Sequence, residues 1–279
     1  MEYSLKMIKI HVLHCGEVCV DEAIPFGNVS KNPLAFTGIF RSQKNRIWLP
    51  VSAYLIEHPK GLILFDTGWH TNVRKDPIGH LTRKQFLVNQ PRLSEGESIA
   101  EQLNLLGFKS SDLDYVIMSH MDSDHVSGLK LVSDAKNILT SDKELEDALK
   151  YKIRYVSSMW EGVVVNTFKL EQTGDGPVGL SYDLFGDGSI KLINIPGHSH
   201  GLCAMKITNN DGKYVLLLSD GCYAEKSWKE MILPGITLDK NKVALDMSGT
   251  KTTKLNATVQ PSNANRNTGI TWNSSNTGV

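Results

Sequence analysis

Short, largely apolar runs punctuate this chain, and four of them end directly in residues of the types that bind metal ions or orient such ligands. Residues 61–65 run into Asp66, Thr67 and Gly68, and residues 115–118 run into Ser119, His120, Met121, Asp122, Ser123, Asp124 and His125. Residues 190–195 lead to Pro196, Gly197, His198, Ser199 and His200, and residues 214–218 lead to Ser219, Asp220 and Gly221. Apolar runs of this length bounded by turn-forming residues predict strands buried on both faces. A longer run over 47–56 predicts a further core strand.

Between the runs, residues 94–107 carry helical periodicity, with Ser94 or Glu95 near the start and Gly107 as the stop, and a second helix is predicted over 141–150. Helices interleaved with strands predict a layered α/β domain. Residues 26–46 and 69–91 are long, polar and weakly periodic, which predicts loops over a site, and Trp69, Phe86 and Trp160 are candidates to line an apolar pocket or to pack as structural aromatics.

Each run has an ordinary explanation when taken alone. Pro-Gly-His can be a turn, Asp-Gly is common hairpin material, and residues 120–125 can be a solvated acidic loop. The coincidence of all four at strand ends points instead to one rim that collects ligands. Imidazole nitrogens together with carboxylate oxygens suit zinc, and also manganese, iron or cobalt in the divalent state.

Taken together, the segments at Asp66, at His120 to His125, at His198 and at Asp220 resemble the metallo-β-lactamase fold superfamily, and within it the N-acyl homoserine lactonase-like hydrolases. The resemblance covers roughly residues 7–235. It implies an αββα sandwich with a dinuclear metal centre on loops at the strand ends. By position, His120 and His198 would sit on the first metal, Asp124 and His125 on the second, and Asp220 between them. Asp66 would orient a ligand histidine, as carboxylates beside metal-bound imidazoles do. Tyr223, three residues after Asp220, matches a tyrosine that contacts the lactone carbonyl in that group; packing is the plainer role for a lone tyrosine.

Two departures from the family pattern stand out. Asp122 occupies the place of the motif's second histidine, which would make the first site harder and more negative, favour oxygen-accepting metals, and render a bound water less acidic. Alternatively Asp122 points away and the site is mononuclear. No histidine follows His200, so the family's last ligand has no counterpart and the second site looks one ligand short. His200 is expected beside the pocket rather than as that ligand.

After residue 235 the composition changes: histidine and cysteine stop, and Thr, Asn and Ser rise. Runs such as 255–259 and 270–273 read as short strands. Residues 236–279 are similar to the first half of a bacterial immunoglobulin-like (group 2) module, and a flexible polar linker is the plain alternative. The expected organisation is therefore a metallo-hydrolase domain over 1–235, lacking its last helix and strand, followed by a short β-rich tail over 236–279.

The 279 residues suffice for one large core plus an appendage, and Lys plus Arg equals Asp plus Glu at 30 each, so no net charge draws the chain to nucleic acid or acidic membranes. No apolar stretch is long enough to span a bilayer and the N-terminal residues lack a leader pattern, which gives a cytoplasmic expectation; the tail argues mildly against it. Cys15 and Cys19 have a three-residue spacer, so free thiols are expected there rather than a zinc hook.

The expected function is metal-dependent hydrolysis of a lactone or ester, an N-acyl homoserine lactone first. His120, Asp122, Asp124, His125, His198 and Asp220 would hold one or two divalent ions, zinc first and manganese or iron as alternatives. A metal-bound hydroxide would attack the carbonyl, Tyr223 would help stabilise the oxyanion, and Asp124 would pass a proton to the leaving alkoxide. The other readings are a hydrolase of a thioester, β-lactam or phosphodiester on the same scaffold, or a degenerate metal-binding protein without turnover.

Overall fold

Apolar runs whose side chains alternate between two buried environments need a packed layer on each side, and the chain builds them. A computed structural model describes residues 2–5, 8–27, 29–30, 32, 34–230 and 232. The tail expected over 236–279 lies outside these residues.

The first sheet contains β1 (Glu2–Leu5), β2 (Ile8–Asp21), β3 (Arg46–His58), β4 (Gly61–Phe65), β5 (Gln90–Arg92), β6 (Tyr115–Ile117), β7 (Ile138–Ser141) and β8 (Asn166–Phe168). Its order is β1-β2-β3-β4-β6-β7-β8, with β5 paired to β2. Strands β1 to β4 pair antiparallel, whereas β4, β6, β7 and β8 are mutually parallel. The second sheet is an antiparallel meander of β9 (Glu171–Gln172), β10 (Leu180–Asp183), β11 (Ile190–Asn194), β12 (Cys203–Thr208) and β13 (Tyr214–Leu217). The strands predicted over 47–56, 61–65, 115–118, 190–195 and 214–218 are all present, and those predicted over 255–259 and 270–273 lie outside the described residues.

The two-residue period of a strand sorts the core. Ile10, Ile56, Ile63, Phe65 and Ile117 of the first sheet meet Ile190, Leu192, Met205, Ile207 and Leu217 of the second. Their neighbours Leu13, Ala53, Leu55, Leu64 and Val116 point the other way, onto Ile99 and Leu103 of α3 (Ile99–Leu105) and Ala148 of α5 (Asp142–Lys150). The remaining helices are α1 (Pro77–Leu81), α2 (Arg83–Val88), α4 (Ser123–Val126) and α6 (Glu225–Lys229). Two sheets face to face with helices on an outer face match the predicted sandwich. Each fully buried Ile, Leu or Phe contributes about 1.5–3 kcal/mol.

Helix α3 starts at Ile99, later than the periodicity predicts. Ser98 and Glu101 form a capping box, and Gly96 takes a left-handed φ of 83°, which keeps the preceding turn out of the helix. The predicted stop holds, with Gly107 at φ 85°. All four cysteines are free thiols, and burial pushes that of Cys15 up to about 12. Among the described residues, no helix is long and apolar enough to cross a membrane.

Candidate metal centre

Parallel pairing of β4 with β6, in register at Phe65 and Ile117, brings Asp66 and the 119–125 segment out at the same end of the sheet. Asp66 N–H donates to the Ile117 carbonyl (2.9 Å), and Cys203 N–H, at the start of β12, donates to the Ser119 carbonyl (3.0 Å). That second bond joins the sheets at the point where the His198 loop returns. The loop after β13 completes the rim with Asp220.

Asp66 sits at φ 62° and Ser219 at φ 48°, a left-handed conformation that costs a residue with a side chain about 1 kcal/mol or more. Hydrogen bonds hold both in place. The Asp66 carboxylate accepts from Ser119 N–H (2.8 Å), from Ser119 Oγ–H (2.7 Å) and from His125 Nδ1 (2.9 Å). With its hydroxyl proton given to Asp66, Ser119 Oγ can only accept from His120 Nδ1 (2.9 Å). Both imidazoles thus carry their proton on Nδ1 and turn Nε2 inward. This is the orienting role expected of Asp66, extended through Ser119 to a second histidine.

The inward nitrogens meet carboxylates. His120 Nε2 lies 3.5 Å from Asp122 Oδ2 and 3.8 Å from Asp220 Oδ2. His198 Nε2 lies 2.7 Å from Asp122 Oδ2 and 3.5 Å from Asp220 Oδ2. On the other side, His125 Nε2 is 3.0 Å from Asp220 Oδ1 and 3.7 Å from Asp124 Oδ2. Two compact donor groups result: His120 with Asp122 and His198, and His120 with His125 and Asp220. Asp220 turns one oxygen to each side, as a bridging carboxylate would. Asp124 stands at the margin, near His125 but outside both compact groups.

A divalent cation fits this donor set. His120 Nε2 is buried without a hydrogen-bond partner, an orphaned lone pair aimed at two carboxylates. Asp122 and Asp220 lie within 3.8 Å of it, Asp124 stands beside His125, and Arg154 offsets Asp122 alone, so the cluster keeps an excess of carboxylate that a cation would balance. Nitrogen and oxygen donors in this proportion suit zinc, manganese or iron alike.

Electrostatics follow from the crowding. Burial alone would lower His125, but Asp220, Asp124 and Asp66 raise it well above the ordinary imidazole range. Burial would raise Asp220, yet His125, His120 and His198 hold it well below the usual carboxylate range. Asp124 is raised to about 6, chiefly by burial and then by the neighbouring Asp220 and Asp122. A cation entering here must displace the His125 proton at neutral pH and, below about pH 6, the Asp124 proton as well. Metal affinity should therefore rise with pH, more steeply below about 6 than above it. Chelator-competition titrations across pH 5–8 check this, and a flat profile would count against it.

Asp66→Asn tests the orienting network. The amide keeps the size but offers only one accepting oxygen to Ser119 and His125. Loss of about 10–100-fold in metal affinity is expected, measured by titrating stripped protein with zinc; unchanged affinity would remove Asp66 from this role.

The sequence left two residues unnoticed. Glu144 is fully buried, and its carboxylate accepts from Met121 N–H (2.9 Å), Tyr155 O–H (3.0 Å) and Ser199 O–H (2.6 Å). It thereby ties the residue after His120 to the residue after His198. Its only sequence signal, Ser141 followed three residues later by Glu, reads as a capping box. Ser141 does cap α5 by accepting from Glu144 N–H (3.1 Å), but the Glu144 side chain turns to the ligand loops. Gly201 lets that loop close on α5, since any Cβ there would lie 2.2 Å from the Glu144 nitrogen. Arg154, the second, carries no sequence signal at all. Its Nε and Nη2 donate to Asp122 Oδ1 and Oδ2, both at 2.6 Å, and Nη1 donates to the His198 carbonyl at 2.8 Å.

Asp122 therefore points inward and is not alone. The negative charge that the Asp-for-His exchange adds to the first site is offset by the Arg154 guanidinium, while the donor atom there remains an oxygen. His200 turns Nδ1 to Asp147 (2.6 Å) and lies outside both donor groups.

The donor groups open into a cavity of about 1050 Å³. Val18, Val20, Ile24, Phe36, Leu49 and Val88 line its apolar side, and Asp122, Asp124, Arg154, His198, Asp220 and Tyr223 its polar end. Both predicted loop regions contribute, through Phe36 and Thr37 and through Gln85 and Val88. Trp69 and Trp160 do not line it; both are buried in the core, and Trp69 Nε1–H donates to the Glu17 carbonyl (3.0 Å). Phe86 is likewise absent from the lining. Tyr223 O–H donates to Asp220 Oδ2 (2.5 Å) and lies 3.3 Å from His198 Nδ1.

The sequence model of the Metallo-beta-lactamase superfamily matches residues 46–217. The N-acyl homoserine lactonase AttM of Rhizobium radiobacter is 28% identical over 193 residues, 67% of this chain and 70% of the relative. The N-acyl homoserine lactonase of Bacillus cereus is 29% identical over 192 residues, with the same shares of 67% and 70%. Among solved structures, an N-acyl homoserine lactone hydrolase with N-hexanoyl-L-homoserine bound at its catalytic metal centre superposes with a TM-score of 0.65 at 22% identity, covering 82% of each chain. That likeness shows a shared fold.

Proposed function

The chain belongs to the metallo-beta-lactamase superfamily, and from that premise we propose that it is a metal-dependent hydrolase of a lactone or ester, with an N-acyl homoserine lactone as substrate. The observation that carries the reading is the orphaned His120 Nε2 at the junction of two donor groups that share an apolar cavity with Tyr223. His120, Asp122 and His198 would hold one divalent ion, and His125, Asp220 and Asp124 a second, with Asp220 shared. A divalent ion there supplies a Lewis acid for the carbonyl and a water acidified for attack.

The chain's own residues do the rest. Asp66 and Ser119 keep His125 and His120 in the tautomer that exposes Nε2. Burial first, and then Asp220, keep Tyr223 protonated far above neutral pH, so it serves as an O–H donor to a carbonyl oxygen and not as a base. Asp124, beside His125 at the polar end of the cavity, is placed to carry a proton to the leaving alkoxide. The apolar wall from Val18 to Val88 accepts an acyl chain and excludes water around the ester.

We further propose that the hydrolase domain spans 1–235 and that 236–279 form an appended immunoglobulin-like segment or a flexible linker. The functional test is direct. Purified chain is assayed for bound metal by elemental mass spectrometry and for ring opening of N-hexanoyl homoserine lactone by proton release. Bound ion with chelator-sensitive ring opening is expected. Bound ion without hydrolysis of lactones or simple esters would sink the substrate assignment, and no bound ion would sink the metal reading.

A further inference from the structure

Asp122 stands where a neutral imidazole would be expected, and the structure pairs it with a buried cation. The Arg154 side chain is 12% exposed and the Asp122 side chain 14%. The guanidinium grips Asp122 through both oxygens, anchors to the His198 backbone carbonyl, and lies 5.2 Å from the centre of the Tyr155 ring. Tyr155 is in turn held by Glu144. Arg154 is thus fixed from several sides, and its fork leaves Asp122 Oδ2 facing His198 and His120.

This geometry assigns Arg154 a role toward the metal. We infer that Asp122 and Arg154 act as one charge-compensated ligand unit: Asp122 supplies the donor oxygen, and Arg154 positions it and cancels its charge, so the pair takes the place of a neutral histidine. The inference rests on the proposal that His120, Asp122 and His198 hold a divalent ion. An Arg–carboxylate pair of this bidentate form is geometrically specific, so neither partner can be exchanged alone without stranding a buried charge.

The consequence is a defined rescue. In Asp122→His, Arg154 remains as an uncompensated cation beside the ion, and affinity for the ion should fall by about 10–100-fold. In Asp122→His with Arg154→Met, the ligand is neutral and its neighbour apolar, and most of that loss should be regained. Arg154→Met alone strands the carboxylate, so metal-free protein should melt below both the wild type and the double variant.

The experiment uses the full chain, stripped with a chelator and titrated with zinc and then manganese by calorimetry. Melting of the metal-free variants is followed by circular dichroism. If Asp122→His alone fails to fold, the ion affinity of the double variant is compared with the wild type instead: affinity within about tenfold supports the inference and a larger loss overturns it. A double variant that binds the ion no better than Asp122→His, and melts no higher than either single, overturns it while wild-type ion binding leaves the metal reading standing. A wild type that binds no ion overturns the metal reading and this inference with it. Purely structural packing by Arg154 would produce no rescue of ion affinity.

Discussion

Replacing Asp220 with alanine is expected to lower bound metal to well under half the wild-type content and to cut lactone hydrolysis by roughly a thousandfold, about 4 kcal/mol of transition-state stabilisation. The size follows from position. Asp220 offers Oδ1 to the His125 side and Oδ2 to the His120 and His198 side, and it also accepts the Tyr223 hydroxyl. No other carboxylate faces both donor groups among the described residues. The substitution also leaves His125 facing fewer negative charges, so the pH at which His125 releases its proton should fall. Elemental analysis and hydrolysis rates on the same preparation decide the matter: a variant that keeps its metal and its rate would remove Asp220 from the centre.

The second large effect is on folding rather than chemistry. Glu144→Ala should destabilise the chain by roughly 4 kcal/mol and lower its melting temperature by about 10 °C. Three donors lose their acceptor at once: Met121 N–H, Tyr155 O–H and Ser199 O–H. Two of them lie beside His120 and His198, so metal affinity should fall in step with stability. Glu144→Gln keeps one accepting oxygen and should cost about half as much. Thermal melts of the two variants with and without zinc check both statements. Equal stability of wild type and Glu144→Ala would show that the ligand loops hold themselves.

The melting and metal predictions separate two kinds of residue. Asp220 is a group whose loss removes a ligand but leaves its loop supported by Gly221 N–H bonding to the Leu218 carbonyl. Glu144 touches no bound group and acts only through the backbone and side chains of neighbouring loops. A stable variant without metal and an unstable variant with weakened metal are therefore the expected contrast.

Most of the candidate site was legible in the order of residues along the chain. A strand's end is where its side chains and backbone leave the sheet, so apolar runs followed at once by His, Asp and Gly name both the strands and the rim. Asp66, His120, Asp122, Asp124, His125, His198 and Asp220 all emerge at one end, as those runs predict. The start of α3 was less legible, because the periodic pattern extends back through Ser94 and only the Ser98–Glu101 hydrogen bonds decide where helical geometry begins. The aromatic lining was misplaced for a related reason. A Trp hydrophobic enough for a pocket is equally suited to the core, and packing put Trp69 and Trp160 there.

What the sequence determined by itself was local: which stretches become strands, which donor atoms follow them, and that Asp122 departs from the expected imidazole. The first two follow from hydrophobic periodicity and from ligand chemistry, properties of neighbouring residues, and the third from the resemblance of the 119–125 segment to the family motif. Tertiary structure alone decided how charge is balanced. Arg154 lies 32 positions from Asp122 in the chain and 2.6 Å from it in space, and Glu144 reaches Ser199 across 55 positions at 2.6 Å. Such long-range pairs leave no periodic or spacing signal, because the energy that selects them is the cost of leaving a buried charge or donor unpaired, and that cost exists only once the chain has folded around it.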